Sequence, residues 1–377
     1  MLNNLSEQHL NTITLWYLVQ HSMTGFNTIK QYFGSVEHAV TAENLLRWQD
    51  LPLHKNHVER ARHFMQPEQQ AKFQSCVQTL QQQCDFICTP DDSDYPQQLL
   101  PYLDHPPILF GQGHAALLNQ AQIALVGSRK ASKNGLQTSY DFAYYLAEKG
   151  FVITSGLAEG VDSAAHHAAL TIGQTIAVMA TGVEQTYPKK NHTLRQQILK
   201  QNGTLITEFL PFTPPLKSYF PRRNRIVSGL SLGVVVTEAS LNSGSLITAK
   251  LAAEQGKVIF AVPGHIHNQA HQGCHHLIRE GAILVDHPEK IIEDLALPTQ
   301  WQYEQSTPQQ SHALPEAHTI PDHLIAVYDA LDWDGQDLDQ LANKTQLSAH
   351  HLLAQLMELE LLNKCIQQFG RYSRAPR

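Results

Sequence analysis

Three arginines fall within four positions of "YFPRRNRIVS" (219–228): Arg222, Arg223 and Arg225. A guanidinium is a planar fork of donors, charged at any physiological pH, and it grips phosphate or carboxylate oxygens two at a time. Between residues 186 and 225, eight basic side chains (Lys189, Lys190, Arg195, Lys200, Lys217, Arg222, Arg223, Arg225) stand against Glu208 alone, a local excess of +7. Over 120–290, 16 basic residues against 11 acidic ones give +5. The chain total of −7 therefore leaves −12 to the flanks. Positive charge concentrated in this way within a net-acidic chain points to an anionic ligand on the middle segment.

Three further stretches carry the same chemistry. In "VGSRKASKNG", Gly127 permits close backbone approach, Ser128 offers an amide and a hydroxyl, and Arg129 offers a phosphate fork. In "TSGLAEGVDSAAHH", Ser155 and Gly156 precede a helix expected near Val161, whose unpaired amides attract anions. Asp162 reads as a helix-start residue, and His166 and His167 as packing or capping groups. In "TGVEQTYPKKNHTL", Lys189 and Lys190 precede Asn191, a good N-cap for a helix over 192–201. Lysines there oppose the helix dipole, a conflict that an anionic guest relieves. His192, one turn on, has a ring able to stack on a base. Pro221 opens a short helix that sets Arg222 and Arg225 one turn apart around Asn224, and Ser243, Gly244 and Ser245 make another amide-rich loop. No G-x-G-x-x-G occurs, and no acid follows the second strand to hold a ribose, so a dinucleotide site is disfavoured.

Strand-like apolar runs from residue 121 onward must position these loops: "QIALVG", "FVITSG", "QTIAVMATG", "GTLITEF", "LGVVVTEAS", "KVIFAVPG" and "AILV". Continuous apolar strands alternating with helices predict a parallel sheet covered on both faces. This is a doubly wound α/β domain over 121–297, with its ligand loops at the strands' carboxyl ends. Residues 1–85 read as a helical N-terminal domain, with two short helices around Gly25 and Gly34. The proline-laden 86–120 reads as a connecting segment and 298–321 as a flexible linker. Three helices and a hairpin over 322–377 predict a small winged-helix-like domain. Its third helix presents His350, His351, Gln355, Glu358 and Glu360 without one Lys or Arg, which favours protein contact over reading of DNA grooves. The five cysteines form an odd set and the first residues lack a signal-peptide pattern. A cytoplasmic protein with reduced thiols, neither secreted nor membrane-spanning, is expected.

Six motifs in order resemble the bacterial DNA-processing protein A family (DprA or Smf): "GSRKASKNG" (127–135), "TSGLAEGVDSAAH" (154–166), "YPKKN" (187–191), "FPRRNRIVSGLS" (220–231), "SGSLITA" (243–249) and "LIREGA" (277–282). The resemblance implies an extended Rossmann-like domain, a SAM/helix-hairpin-helix-like N-terminal domain and a C-terminal winged helix. It also implies an activity of binding rather than turnover: holding and protecting single-stranded DNA during natural transformation, loading RecA recombinase on it, and dimerising through the Rossmann domain. By position, Arg129 and Lys189 are expected to contact phosphates beside the amides of Gly127, Ser128, Ser155 and Gly156. The arginine motif and the S-G-S loop are expected to line the same pocket. His192, Tyr219 and Phe220 are the aromatic candidates for base stacking, Phe220 having a core position as its alternative. One of the three arginines is expected to pair with Glu208 or Glu238.

Two other readings compete. Rossmann domains also serve nucleotide phosphoribohydrolases, which carry P-G-G-x-G-T-x-x-E. The matching stretch here, "NSGSLITAKLAAE", lacks the double glycine and G-T, leaving Glu238 or Glu254 as the only candidate acids. A pure interaction protein would turn the basic strip towards an acidic partner. The cluster of His265, His267, His271, Cys274, His275 and His276 holds metal-competent residues without a recognised ligand spacing, so neither a metal nor a cofactor is expected.

Overall fold

The computed structural model describes residues 5–303, 321–332, 335–362, 364–368 and 371–374. They fall into two compact units, Met1–Ser306 and Thr307–Arg377.

The first unit is built on nine strands: β1 (Phe86–Cys88), β2 (Leu109–Gln112), β3 (Gln122–Val126), β4 (Val152–Ser155), β5 (Thr175–Val178), β6 (Thr204–Thr207), β7 (Gly233–Val236), β8 (Val258–Ala261) and β9 (Ile283–Leu284). They lie in the order β1-β2-β6-β5-β4-β3-β7-β8-β9. Strands β3 to β9 pair in parallel, as the apolar runs predict. Alternation along β3 divides the core. Ile123 and Leu125 face α7 (Lys133–Glu148), α8 (Val161–Ile172) and α13 (Pro288–Tyr303), whereas Ala124 and Val126 face α10 (Tyr219–Leu230) and α11 (Ser245–Glu254). The chain winds outward from β3 through β4, β5 and β6, then crosses back to β7 on β3's other side. The β3/β7 boundary is thus the point where strand order reverses, and loops leaving the carboxyl ends of its strands diverge into a crevice.

Six helices precede the sheet: α1 (Glu7–Leu18), α2 (Met23–Phe33), α3 (Val36–Ala39), α4 (Ala42–Arg47), α5 (Lys55–His63) and α6 (Pro67–Gln83). The first four begin at Ser6, Ser22, Ser35 and Thr41, whose hydroxyls accept from the amides of His9, Gly25, His38 and Asn44. Residues 25–34 form part of one helix, not two, because Ser22 caps α2 ahead of Gly25 and the helix ends only at Gly34. These helices share a core with the sheet: Ile13, Leu15 and Trp16 cluster with Ala177, Met179, Leu205 and Leu210. The 86–120 stretch is more than a connection, since β1 and β2 extend the sheet antiparallel beyond β6.

The second unit contains α14 (Asp322–Ala330), α15 (Leu338–Thr345), α16 (Ala349–Leu361) and the antiparallel hairpin of β10 (Cys365–Gln368) with β11 (Arg371–Arg374). It encloses its own core around Leu324, Val327, Leu341, Leu352 and Leu356. The three helices and hairpin expected of a winged helix are present. Gly370, where the sequence places the hairpin's turn, lies outside the described residues, as does most of the expected linker. The described helix α13 occupies the linker's first residues through Tyr303.

Candidate nucleic-acid interface

A cleft of about 790 Å³ opens at the β3/β7 boundary. Gly127, Ser128, Arg129 and Lys130 form the β3 side, Gly156, Ala158 and Asp162 the β4 side, Phe220, Arg223 and Asn224 the α10 side, and Ser243, Gly244 and Ser245 the start of α11. Tyr187 and Lys217 complete the rim.

The β3 loop is rigidly held. The Ser128 amide donates to the Glu238 carbonyl at 2.7 Å, and the Val161 amide to the Ser128 carbonyl at 3.2 Å. At Gly127 a Cβ would lie 2.5 Å from the Val161 side chain, so only glycine lets the loop pass this close to α8. The Glu238 carboxylate accepts from the Ser132 amide (2.9 Å) and hydroxyl (2.5 Å) and is fully buried. It braces the loop from behind and does not line the cleft. Exposed Glu254 lies near Lys250 at 3.9 Å and is likewise outside it.

On the β4 loop one expected phosphate donor, the Gly156 amide, is already engaged. The Gly156 amide donates to Asp162 Oδ2 at 3.0 Å, and the Ala158 amide to the same oxygen at 3.3 Å. Ser155, fully buried, donates its hydroxyl to the Leu125 carbonyl at 2.7 Å. Asn191 stands at the N-cap position of α9 (His192–Lys200), as expected, but its side chain makes no capping bond. Its side-chain amide donates to the carbonyls of Leu157 (2.9 Å) and Ala158 (3.1 Å) and to Ser163 Oγ (2.9 Å), tying the β4 loop to the stretch after β5.

Helix α10 separates the arginines by face. Arg222 and Arg225, one turn apart, both reach the fully buried Glu208: Arg222 through Nε (3.0 Å) and Nη2 (2.8 Å), Arg225 through Nη2 (2.6 Å). Arg222 also donates to the His21 carbonyl and lies over the Trp16 ring at 5.2 Å. Neither lines the cleft, which corrects the expectation for both and raises from one to two the arginines paired with acid. Arg223, turned 100° away on the helix, is the guanidinium that does line it. Only 4% exposed, it donates to the carbonyls of Gly156 (2.5 Å) and Val178 and stands beside Asp162. Burial pushes Arg223 down to about 10, Asp162 opposing the fall and Arg129 adding to it, so it stays charged at neutral pH. Burial also raises the Asp162 carboxyl, in spite of Arg223 and the two amides. A Cβ on Gly156 would sit 2.5 Å from the Arg223 guanidinium, so glycine there lets Arg223 pack against the β4 loop.

Arg195 is internal too, donating to the Gln185 carbonyl (2.7 Å), Gln112 (2.6 Å) and the Val183 carbonyl. Three of the eight clustered cations therefore serve the fold. Arg129, Lys130 and Lys217 are exposed at the cleft, and no ion pair holds them among the described residues. Lys189 is exposed near the Tyr187 side without lining the cleft, Lys190 pairs with Glu159 at 3.2 Å, and His192 is exposed against Thr186 and Gln196. Tyr219 stacks on Phe209, with centroids 4.5 Å apart, away from the cleft. Phe220 lines it, with the Arg129 guanidinium 5.1 Å from its ring and the Tyr187 ring 5.5 Å away. In the histidine-rich stretch Cys274 is buried and His275 Nε2 lies 3.0 Å from the Gly264 carbonyl oxygen. Among the described residues no group of three or more His, Cys, Asp or Glu is placed to hold a metal.

Sequence reasoning did not single out Tyr187, Lys130 and Lys217 as cleft residues, and it did not separate Arg223 from the other two arginines of its motif. The i,i+3 spacing of Arg222 and Arg225 carried the signal for Arg223, since two arginines on one helix face invite a shared acid and leave the middle one for another face.

The chain matches the family model described as DNA recombination-mediator protein A over residues 86–296, and the DprA winged helix domain model over 310–371. It is 42% identical over 294 residues to Protein Smf of Escherichia coli, covering 76% of this chain and 77% of that protein. To the DNA processing protein DprA of Streptococcus pneumoniae it is 45% identical over 204 residues, 54% of this chain and 72% of the relative. The X-ray structure of a Streptococcus pneumoniae DprA superposes with a TM-score of 0.65 at 34% identity, covering 77% of this chain and 98% of the other. A structure of Helicobacter pylori DNA processing protein A, described for its single-stranded DNA binding mode, gives 0.51 at 31% identity over 56% of this chain and 96% of the other. With the first family model spanning more than half of a chain whose cleft the same motifs build, this chain belongs to the DNA recombination-mediator protein A family, the DprA/Smf proteins.

Proposed function

We infer that this chain is a cytoplasmic, non-catalytic mediator that binds single-stranded DNA along the β3/β7 cleft, protects it during natural transformation and loads RecA on it. It acts as a homodimer through the Rossmann-like domain. The observation that carries the reading is the convergence of Arg129, Lys130, Lys217 and Arg223 on one crevice at the strand-order reversal. Among the described residues the one carboxylate lining that crevice, Asp162, already accepts from two backbone amides beside Arg223. Excess guanidinium and ammonium then meets phosphate, and a strand whose bases are unpaired can lay its backbone along the cleft. The Helicobacter pylori relative described for its single-stranded DNA binding adds support. For a phosphoribohydrolase, either Glu238 would have to leave Ser132 or Glu254 would have to enter the cleft.

The test is oligo-dT binding as a function of salt. Each neutralised phosphate adds about −0.7 to the log–log slope, so three or four contacts give about −2 to −3. Arg129→Ala and Lys217→Ala are each expected to flatten the slope by about 0.7 and to weaken all sequences alike. Lys189→Ala is expected to do the same if the strand runs on past Tyr187. Wild-type slopes for Arg129→Ala and Lys217→Ala together would remove the cleft from consideration. Loading of RecA is read separately, as faster RecA nucleation on oligo-dT in the presence of this chain.

A further inference from the structure

Opposite charges grip the two ends of Gly156. Its amide donates to Asp162 Oδ2 at 3.0 Å, and its carbonyl accepts from Arg223 at 2.5 Å. The next residue, Leu157, is buried with φ at +57°, in the left-handed region that a leucine seldom enters. Asp162 holds that turn by taking the amides on either side of it, Gly156 and Ala158, and Asn191 holds it through the carbonyls of Leu157 and Ala158. The carboxylate thus shapes the β4 wall of the cleft. It also sets the field there. Arg223 is 4% exposed, and its bonds go to neutral oxygens, those of Gly156, Val178 and Asn224. Asp162 is 7% exposed, and both charges line the cleft. A phosphate drawn to Arg129 and Arg223 therefore meets a buried negative charge that little water screens.

We propose that Asp162 limits the affinity of the cleft: it holds the β4 loop in the shape that receives a phosphate, while its charge beside Arg223 opposes that phosphate, so that the strand can be released. The assignment rests on the single-strand reading of the cleft and adds to it the residue that sets how tightly the strand is held. The two roles separate chemically. An amide oxygen accepts from Gly156 and Ala158 as a carboxylate oxygen does, without the charge. The second role also links binding to protons, because a phosphate disfavours the ionised form of a neighbouring carboxyl. The strand is then gripped more tightly as Asp162 takes up a proton, and burial already raises that carboxyl in the free protein. Arg223 faces Asp162 from α10, and Arg129 faces the same cleft from the β3 loop. One turn along α8, His166 is lowered to about 3 and stays neutral. Asn191 does not titrate, and at the rim Glu159 and Lys190 pair with each other at 3.2 Å.

The experiment measures oligo-dT binding by wild type, Asp162→Asn and Asp162→Ala at pH 7, 6 and 5 and at two salt concentrations, with folding checked by thermal melting at each pH. Asp162→Asn keeps the acceptor and loses the charge. It is expected to bind about three- to ten-fold more tightly than wild type at pH 7, the scale of one like charge removed from beside a phosphate. That advantage should shrink as pH falls and protonation neutralises Asp162 in wild type, while the salt slope keeps its wild-type value. Asp162→Ala loses the acceptor as well and should bind more weakly than Asp162→Asn; equal binding by the two would overturn the loop-holding role. A carboxylate that served the loop alone would leave Asp162→Asn equal to wild type or weaker. That result, with Arg129→Ala still flattening the salt slope, overturns the proposal while the cleft stands. Should Asp162→Asn not fold, calorimetry in two buffers of different ionisation enthalpy decides, by counting the protons bound along with oligo-dT in a His192→Gln background. Uptake is expected, and its absence at all three pH values overturns the proposal. Failure of wild type to hold oligo-dT overturns the cleft reading and this inference with it.

Discussion

At Glu208 two guanidiniums meet one carboxylate inside the protein, and the carboxylate is fully buried. Its backbone carbonyl also accepts from Trp16 Nε1 at 2.7 Å, so a single residue at the end of β6 joins α1 to α10. Such a cluster tolerates its own desolvation only because each partner is satisfied; removing one charge strands the others. Glu208→Gln keeps the shape and leaves the buried Arg225 and the half-buried Arg222 guanidiniums facing a neutral amide. A loss of about 3–5 kcal/mol in urea unfolding is expected, towards the lower end because the amide oxygen still accepts one bond. Because Arg222 and Arg225 do not line the cleft, the salt slope of binding in the folded fraction should stay at the wild-type value. A flattened slope in Glu208→Gln would return these arginines to the ligand.

The joint between α1 and α2 is held by a histidine that must stay neutral. His21 Nε2 accepts from the Leu210 amide at 3.1 Å, and its ring lies within 5.7 Å of Trp16 and 5.4 Å of Phe209. Burial, with Arg222 and Arg60 adding to it, lowers His21 to about 3 from its ordinary 6.5; His166, buried and bonded through Nδ1 to Thr175, is lowered to a similar value. Between those values the unfolded chain binds the protons that the folded chain refuses, so stability is complete above about pH 6.5 and falls as pH drops towards 3. The slope is at most about 1.4 kcal/mol per pH unit for each histidine. Asp162, displaced upward, works in the opposite sense just above the ordinary carboxylate range. Urea unfolding at pH 7, 6 and 5 should show the decline, and His21→Gln should reduce its slope. An unchanged slope would place the acid sensitivity elsewhere. Of this docking only an arginine paired with Glu208 or Glu238 was legible in the sequence, because Trp16 and His21 join Glu208 and Arg222 by tertiary contact alone. The parallel strands were legible, since continuous apolar runs bounded by glycine leave few other architectures. β1 and β2 were not, as three- and four-residue edge strands among prolines carry no periodicity. In the site, the loops could be read but the hydrogen bonds that consume Ser155, the Gly156 amide and Asn191 could not, for each partner lies on a different loop or element.

Across the whole chain the net charge of −7 conceals a division: the cleft cations belong to the first unit, whereas residues 322–377 carry five basic against eight acidic side chains. Helix α16, which in a DNA-reading winged helix would meet phosphates, has no Lys or Arg and exposes His350, His351, Glu358 and Glu360, with Gln355 half-buried. Phosphate neutralisation supplies most non-specific affinity for nucleic acid, and this surface has almost none to offer. The two units have separate hydrophobic cores, so truncation after Ser306 removes one without cutting into the other. Residues 1–306 alone are therefore expected to bind oligo-dT with the affinity and salt slope of the full chain, within about two-fold. Fluorescence anisotropy at two ionic strengths measures both quantities. A slope shallower by about 0.7 or more for the truncated chain would mean that at least one phosphate contact comes from the second unit despite its acidity.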